Sequence, residues 1–388
     1  MFLIDQPYVS SFLLETIKDN AYEIVSTKEA RSMITDNSLN WITEENAIEK
    51  LKNNPDTPLY LNSENAIAWI IKNWGTSDLA RQIQLFKDKI KFRALIKDAF
   101  PNFFYQSIQL EDIQTFKPKD EQFPFVIKPA LGFFSLGVHI VHNQKDWIKA
   151  KSELNYKTLK SIYPKEVLDT STFIIEEYIQ GEEYAIDCYY NKKGEVVILN
   201  ILHHKFSSGT DVSDRVYSTS KDIFLQYKNK IEAFLSSIGA QAKLKNFPAH
   251  VEVRIDKNGN ICPIEINPAR FGGWCTTGDL SWHSFGFNSY DYYHQQLEPD
   301  WNEIFKTKGN KKYSIIILNN SSGIPAEQIK TFNYDLINSD LENILVLRRM
   351  DIKKYPVFGF IFAETSPKND QELDQILTAD LKRYIEKW

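Results

Sequence analysis

The sequence predicts a multidomain protein of mixed α/β and α+β class, in which an open parallel sheet precedes antiparallel sheets. Three observations lead to this prediction. The chain has 388 residues, which suggests two or three domains at roughly 150 residues each. Residues 1–85 alternate short apolar runs with helical patterns, whereas hairpins dominate from Phe123 onward. A hydrophobic fraction of 43%, with 25 Phe, 19 Tyr and 8 Trp, provides enough apolar area for packed cores.

The N-terminal region has the strand–helix–strand order of a parallel sheet. Apolar runs at residues 2–4, 22–25 and 58–61 predict strands, and residues 11–19 predict a helix. The sequence Ser26-Thr27-Lys28-Glu29 has the spacing of a capping box for a second helix. No G-x-G occurs in the chain, which excludes the dinucleotide-binding fingerprint of such sheets.

The middle of the chain reads as three hairpins, and the C-terminal block reads as a further small unit. The paired segments are residues 125–128 with 138–141, 184–190 with 195–202, and 250–255 with 261–267. Antiparallel sheets with helices on one side fit this pattern. After about Gly309, three strands and a helix over residues 369–386 predict either a small α+β unit or an extension of the preceding sheet, with no recognisable chemistry.

The charge, the apolar windows and the cysteine content of the chain indicate which partners and which cellular compartment to expect. With 46 basic and 51 acidic residues the net charge is -5, so no basic surplus is present for nucleic acid. No window approaches the roughly 20 apolar residues that span a bilayer, and the N-terminus lacks a charged leader region, so we predict a cytoplasmic protein without a membrane partner. Cys188, Cys262 and Cys275 predict reduced thiols rather than disulfides or a zinc site.

The third hairpin carries the strongest chemical signal. If Asn258-Gly259 forms a two-residue turn, Glu252 lies directly opposite Glu265, and Pro263 falls at a non-hydrogen-bonded position. Like charges directly opposite each other destabilise a sheet unless a cation bridges them. Two carboxylates and the amide oxygen of Asn267, on the same face, are the hard ligands that magnesium prefers. We therefore predict a magnesium site here; two solvated acids or an acid–base pair are the alternatives.

Two earlier segments are weaker candidates for nucleotide binding. The loop from Gly132 to Gly137 has G-x-x-x-x-G spacing, but Val138 replaces the lysine that a P-loop requires. A glycine-bearing turn can still bind phosphate through backbone N–H groups, with Lys128 as a point charge; a surface hairpin with a buried Phe pair is the alternative. Residues 173–183 pass from an apolar strand into a polar turn, which suits either an adenine edge or a plain connector.

Taken in order, these pieces resemble the ATP-grasp superfamily, whose members include D-alanine:D-alanine ligase and biotin carboxylase. The resemblance covers roughly residues 86 to 275. It implies an N-terminal domain, a two-lobed ATP-grasp fold with antiparallel sheets, and a C-terminal extension. The implied boundaries are residues 1–85, 86–178, 179–308 and 309–388.

The resemblance also implies roles for individual residues in ATP binding. The implied contacts are Lys89 and Lys128 with the α- and β-phosphates, Ser135 in the loop over the β- and γ-phosphates, Glu176, Glu177 and Ile179 with adenine, and Glu183 with the ribose. Lys205 resembles a phosphate-contacting position and is, with Arg270, an implied catalytic residue. Period-two alternation places Lys205 on one strand face with His203, while His204 lies on the other.

The implied metal and catalytic residues follow the third hairpin. Glu252, Glu265 and Asn267 would bind one or two Mg²⁺ ions, or Mn²⁺, and Arg270 would contact the γ-phosphate or an acyl phosphate. The family usually reads Asn-Pro-Arg or Asn-x-Arg, whereas this chain has an additional residue, Ala269, before the arginine.

The implied activity is an ATP-dependent, ADP-forming carboxylate–amine ligase that forms an acyl phosphate on an amino acid or small peptide. A kinase, a carboxylase and a non-catalytic nucleotide-binding module are the alternatives. Residues 274–294 are aromatic and either line a substrate pocket or pack on the core, and Arg215 is available for a second carboxylate. Block 309–388 is a candidate dimer interface, which leaves a homodimer open.

Overall fold

The computed structural model describes residues 1–132, 137–154, 171–208 and 213–388, and the strands of these residues form a parallel sheet and three antiparallel sheets. The helices of the described residues run over Ser11–Asp19, Lys28–Met33, Glu44–Asn53, Ile67–Trp74, Asp78–Lys87, Lys89–Leu95, Gln144–Glu153, Lys221–Ala242, Thr276–Phe285, Ser289–Gln295, Trp301–Lys308, Tyr334–Ser339 and Gln371–Thr378. None of these helices has the length and apolar character needed to cross a membrane.

The N-terminal sheet is parallel, as predicted. Its strands are β1 (Phe2–Leu3), β2 (Ile24–Val25), β3 (Trp41–Ile42) and β4 (Tyr60–Leu61), in the order β3-β2-β1-β4. The strand β3 was not predicted from the sequence. The second helix begins one residue later than the predicted capping box, since the hydroxyl of Thr27 accepts the Ala30 N–H at 3.0 Å.

A four-stranded antiparallel sheet follows. It contains β5 (Tyr105–Gln109), β6 (Phe125–Pro129), β7 (His139–Val141) and β8 (Thr172–Glu177), in the order β5-β8-β6-β7. The predicted first hairpin is therefore confirmed as β6 and β7. Trp147, which is fully buried, packs its ring 5.6 Å from that of Phe125 and fixes the helix Gln144–Glu153 on this sheet.

The largest sheet has eight antiparallel strands. They are β9 (Glu182–Tyr190), β10 (Val196–Lys205), β11 (Val216–Ser220), β12 (Phe247–Ile255), β13 (Ile261–Pro268), β14 (Lys312–Asn319), β16 (Ile344–Arg349) and β17 (Val357–Thr365). Their order is β13-β12-β9-β10-β11-β14-β17-β16. The strands after residue 309 therefore continue the sheet that carries the third hairpin.

The end of the chain differs from the predicted long helix over residues 369–386. The helix stops at Thr378, a short 3₁₀ turn follows at Leu381–Tyr384, and β18 (Ile385–Lys387) pairs with β15 (Ile329–Phe332). The Asp380 carboxylate accepts the Lys382 N–H at 3.0 Å. Such a local side-chain bond offers the backbone an alternative to helix, which explains the early end.

The third hairpin has the predicted pairing of Glu252 with Glu265, but its loop and its register differ from the prediction. The Asp256 N–H donates to the Asn260 carbonyl at 3.0 Å, so the loop has three residues rather than two, and Gly259 takes a positive φ of 79°. A bulge at Ile264 then shifts the register back by one residue, and Glu252 lies opposite Glu265 as predicted. Pro263 lies opposite Val253.

Candidate active site

A first cleft lies between the four-stranded sheet and the eight-stranded sheet. Eight predicted residues line it: Lys89, Lys128, Glu176, Glu177, Ile179, Glu183, Glu252 and Glu265. Apolar side chains complete the lining: Val126, Val138, Ile140, Tyr178, Phe206 and Ile264. The predicted Ser135 lies outside the described residues. A cleft with apolar walls and a few convergent charges suits a flat base joined to an anionic group.

Glu176 occupies a buried position between two cations. Its oxygens lie 2.7 Å from the Lys128 ammonium and 2.7 Å from Nε of Arg93. Burial opposes ionisation of this carboxyl, but the two cations outweigh it and lower its pKa to about 2. The Glu176 carboxylate therefore orients Lys128 towards the cleft, and the side chain is not free for the predicted adenine contact.

Glu183 lies at the other wall of the first cleft, where two side chains hold it. Its oxygens lie 2.8 Å from Nδ1 of His204 and 3.2 Å from Nε of Arg254. Arg254 also donates to the Ile179 carbonyl at 2.7 Å and lies 5.0 Å from the Tyr178 ring centre. This network fixes the segment from Tyr178 to Glu183, which the sequence analysis assigned to adenine and ribose.

Lys205 is the predicted nucleotide residue that the structure does not bring into the cleft. Its ammonium forms an ion pair with Asp374, whereas His204 lines the cleft. Alternate residues of a strand face opposite sides, so a single strand cannot present both. The structure therefore has His204, and not Lys205, at the first cleft, and the contact of Lys205 with phosphate stays a prediction.

The two carboxylates of the third hairpin meet at the inner end of the cleft. The Asn267 amide nitrogen lies 3.4 Å from Oε1 of Glu252 and 3.2 Å from Oε1 of Glu265, and the Lys89 ammonium lies 3.2 Å from Oε2 of Glu265. Burial opposes ionisation of Glu265, but Lys89 and Lys128 lower its pKa to about 2. Burial and the neighbouring Glu265 charge raise the pKa of Glu252 well above its usual value.

These groups fit a hard divalent cation. Within the described ranges no group of three or more His, Cys, Asp or Glu side chains is arranged to hold a metal. The protein oxygens available here are the two carboxylates and the Asn267 amide, which presents its oxygen to both carboxylates when the amide is turned by about 180°. A cation would also offset the burial and the neighbouring Glu265 charge that raise the pKa of Glu252.

Arg270 lines the second cleft although the chain has an additional residue, Ala269, before it, because the backbone turns at Ala269. Ala269 has a positive φ of 62°, and its carbonyl accepts the Leu61 N–H of β4 at 2.9 Å. The Arg270 guanidinium then lies 2.7 Å from Oε1 of Glu64 and donates to the Phe271 carbonyl at 2.9 Å. The N-terminal domain therefore sets the position of Arg270.

Sequence reasoning assigned no role to Glu64, Arg93, Asp187 or His250. Asp187 is fully buried and accepts from the Gly272 N–H at 3.1 Å, and it lies 2.7 Å from Nδ1 of His250. A Cβ on Gly272 would come within 2.3 Å of the His250 ring, so this position requires glycine. His250 is close enough in sequence to Glu252 to have been noticed, whereas the partners of the other residues are distant along the chain.

A second cleft adjoins the first and shares Asp214, Glu252 and Glu265 with it. Its other lining residues come from the loops after β1 and β4, the strands β11, β12 and β13, the segment after β13 and the C-terminal block: Gln6, Pro7, Ser63, Glu64, Asn65, Tyr217, His250, Asn267, Arg270, Gly273, Trp274, Thr276, Thr277, Ile317, Lys354, Tyr355 and Pro356. The loops after β1 and β4 leave the carboxyl ends of parallel strands, where open sheets bind ligands.

The aromatic segment 274–294 was predicted either to line a substrate pocket or to pack on the core, and its residues do both. Trp274 lines the second cleft, whereas Phe285, Tyr290 and Tyr293 are buried in the core. Arg215 donates to the Ala379 carbonyl at 2.9 Å and to the Ser321 hydroxyl at 3.1 Å, away from the cleft lining. The entrance loop predicted around it includes residues 209–212, which lie outside the described ranges.

The helix Thr276–Phe285 directs its N-terminus into the second cleft without a side-chain cap. Its N-cap residue, Cys275, has a positive φ of 59°, and its side chain makes no capping hydrogen bond. Thr276, the first residue of the helix, is 2% exposed and lines the second cleft. Free N–H groups at a helix N-terminus favour an anion.

Comparisons with a known family and with solved structures identify what this chain is similar to. Residues 121–278 match the family model of the ATP-grasp domain. The fold is similar to an L-amino acid ligase from Bacillus licheniformis, with a TM-score of 0.67 and 18% identity over 100% of this chain and 98% of that one. It is also similar to N5-carboxyaminoimidazole ribonucleotide synthetase from Thermotoga maritima, with a TM-score of 0.61 and 13% identity over 99% and 98% of the chains. Residues 121–278 are therefore similar to the ATP-grasp domain, and the predicted resemblance to this superfamily is confirmed.

The curated relatives match a smaller part of this chain than the solved structures do. The alanine–anticapsin ligase of Bacillus subtilis is 27% identical over 209 residues, which cover 48% of this chain and 42% of the relative. The D-alanine–D-alanine ligase of Petrotoga mobilis is 31% identical over 81 residues, covering 21% and 23% of the two chains. The chain therefore spans less than half the length of the curated relatives it matches.

Replacing Glu64 tests whether it positions Arg270. We expect Glu64→Gln to lower ADP formation about tenfold, because a charge-assisted hydrogen bond to the guanidinium is weakened. The affinity for ATP should stay unchanged, since Glu64 does not line the first cleft. Steady-state kinetics and equilibrium ATP binding measure the two quantities.

Lys87 provides the matched control, because it also forms an ion pair with Glu64 but lines neither cleft. Lys87→Met should leave ADP formation within about twofold of wild type, as expected for a partner outside the site. Equal losses in both variants would show that Glu64 acts through local packing and not through Arg270.

Proposed function

We propose that this protein is an ATP-dependent, ADP-forming ligase that joins a carboxylate to an amine through an acyl phosphate, with an amino acid or small peptide as substrate. The observation that carries the proposal is that Glu252 and Glu265 line both clefts. A nucleotide in the first cleft and a carboxylate in the second would therefore meet at one pair of acids. The relatives named as alanine–anticapsin and D-alanine–D-alanine ligases support this class of reaction.

The residues of this chain supply position and charge. Lys89 and Lys128 would hold the phosphates of ATP, and Glu252, Glu265 and Asn267 would hold Mg²⁺ or Mn²⁺, which neutralises charge on the transferring phosphoryl group when bound. A substrate carboxylate oxygen attacks the γ-phosphorus, and the bond to the β-phosphate oxygen breaks to release ADP. Arg270 stabilises the charge that develops on the transferring group.

The amine completes the reaction in the second cleft. Its nitrogen attacks the acyl carbon, phosphate leaves, and the ammonium proton is lost to solvent. The uncapped N-terminus of the helix Thr276–Phe285 offers N–H groups to a substrate anion. Small-molecule ligation of this kind uses the cytoplasmic ATP pool, which places the protein in the cytoplasm in this proposal.

Release of ADP and phosphate from Mg-ATP, across amino acids offered singly and in pairs, tests the proposal. We expect release that depends on a particular pair, together with a product whose mass is the sum of the pair less one water. A phosphorylated or carboxylated product would favour the kinase or carboxylase alternative. ATP binding without turnover for any pair would favour a nucleotide-binding regulatory module.

A further inference from the structure

The C-terminal block supplies one wall of the second cleft. Lys354, Tyr355 and Pro356 lie between β16 and β17 and line the cleft together with Glu252 and Arg270. No chemistry is predicted for this block from the sequence, because nothing in the sequence indicates that this loop returns to the N-terminal region. The structure brings it to the substrate side of the site.

Several contacts fix the backbone of this loop. The Tyr355 hydroxyl donates to the Pro7 carbonyl at 3.3 Å, and the Tyr355 ring packs edge-on, 5.4 Å from the Trp274 ring. The Asn320 N–H donates to the Pro356 carbonyl at 2.9 Å. The Lys354 N–H donates to the Asp351 carbonyl at 2.9 Å. Lys354 is therefore an exposed lysine on a loop whose backbone is fixed by hydrogen bonds at Lys354 and Pro356 and by the contacts of Tyr355.

The charges that line the second cleft are mainly acidic. The acids are Glu64, Asp214, Glu252 and Glu265. Among the basic side chains, Arg270 is paired with Glu64, and the His250 ring lies 2.7 Å from Asp187. Lys354 forms no ion pair with any residue that the structure describes. It is therefore a positive charge without an ion-pair partner among the described residues, in a cleft whose charged side chains are mainly acidic.

We propose that Lys354 binds the carboxylate of the amine substrate, so that the amine is an amino acid or peptide and not a simple alkylamine. This inference rests on the proposed ligase function. The carboxylate that becomes phosphorylated must lie at Glu252, Glu265 and Arg270, where the phosphate and cation meet. A second substrate that brings its own carboxylate into the acidic cleft needs a separate cation, and Lys354 provides it.

The test compares each amino acid that the pair panel identifies as the amine with its own carboxamide. In wild type, the KM for the carboxamide should exceed the KM for the amino acid about fivefold, as expected for a charge-assisted contact to an exposed lysine. In Lys354→Met the ratio should fall to about one, because the KM for the amino acid rises while kinetics with the carboxamide stay unchanged.

Lys353→Met is the matched control, since Lys353 is an exposed neighbour that does not line the cleft. It should keep the wild-type ratio. An unchanged ratio in Lys354→Met, or a ratio near one in wild type, overturns the assignment of Lys354 while leaving ligation established. Absence of a ligated product with every pair overturns the proposed function and this inference with it.

Discussion

Glu265→Gln is expected to lower ADP formation by a factor on the order of 10³ without unfolding the protein. Glu265 stays ionised at neutral pH because Lys89 and Lys128 hold its pKa near 2 against the effect of burial. It is therefore the carboxylate of the pair that is ready to bind a cation. The amide variant keeps the size of the side chain and removes its charge, so the affinity for the cation should fall with the rate.

Two measurements separate a metal role from a folding defect. Titration with Mn²⁺ in the presence of ATP should show weaker metal binding for Glu265→Gln, whereas thermal unfolding should show a midpoint close to wild type. Glu182→Gln is the control, because Glu182 is exposed and pairs with His203. Near-wild-type ADP formation by Glu265→Gln would exclude the assignment of this carboxylate to the metal.

Arg93→Met is expected to lower the free energy of unfolding by about 3–5 kcal/mol, the usual cost of removing one partner from a buried ion pair. Arg93 is 2% exposed and binds Glu176 at 2.7 Å. It also donates to the carbonyls of Pro263 at 2.7 Å and Ile264 at 3.4 Å. The methionine variant leaves Glu176 with Lys128 alone and removes the donors from the bulge that aligns Glu265.

Chemical denaturation measures this loss, and a matched variant on the same helix calibrates it. Lys91 is exposed and pairs with Asp88, so Lys91→Met should change the free energy of unfolding by about 0.5 kcal/mol or less. The loss of unfolding free energy in Arg93→Lys should lie between those of Arg93→Met and Lys91→Met, because an ammonium keeps the charge but not the planar fork of donors. If Arg93→Met destabilises the protein no more than Lys91→Met, the buried network does not support the bulge.

The third hairpin shows how a sequence pattern can predict a pairing through the wrong geometry. The two-residue turn was wrong, since the loop has three residues. The bulge at Ile264, which no local pattern indicates, cancels that error, so Glu252 still faces Glu265. The carbonyls at the bulge accept hydrogen bonds from Arg93, which is separated from it by more than a hundred residues of sequence. Register near a turn is local, but a bulge is stabilised by tertiary contacts.

The sequence by itself determined the parallel N-terminal sheet, the three hairpins and the resemblance to ATP-grasp proteins, because apolar periodicity and short motifs reflect local backbone geometry. Only the tertiary structure decided which charges meet. It placed Lys205 against Asp374, Glu176 between Lys128 and Arg93, and Lys354 beside the substrate cleft. Ion pairs and clefts join residues that are far apart along the chain, and their partners are fixed by the packing of whole sheets and loops, which local patterns do not encode.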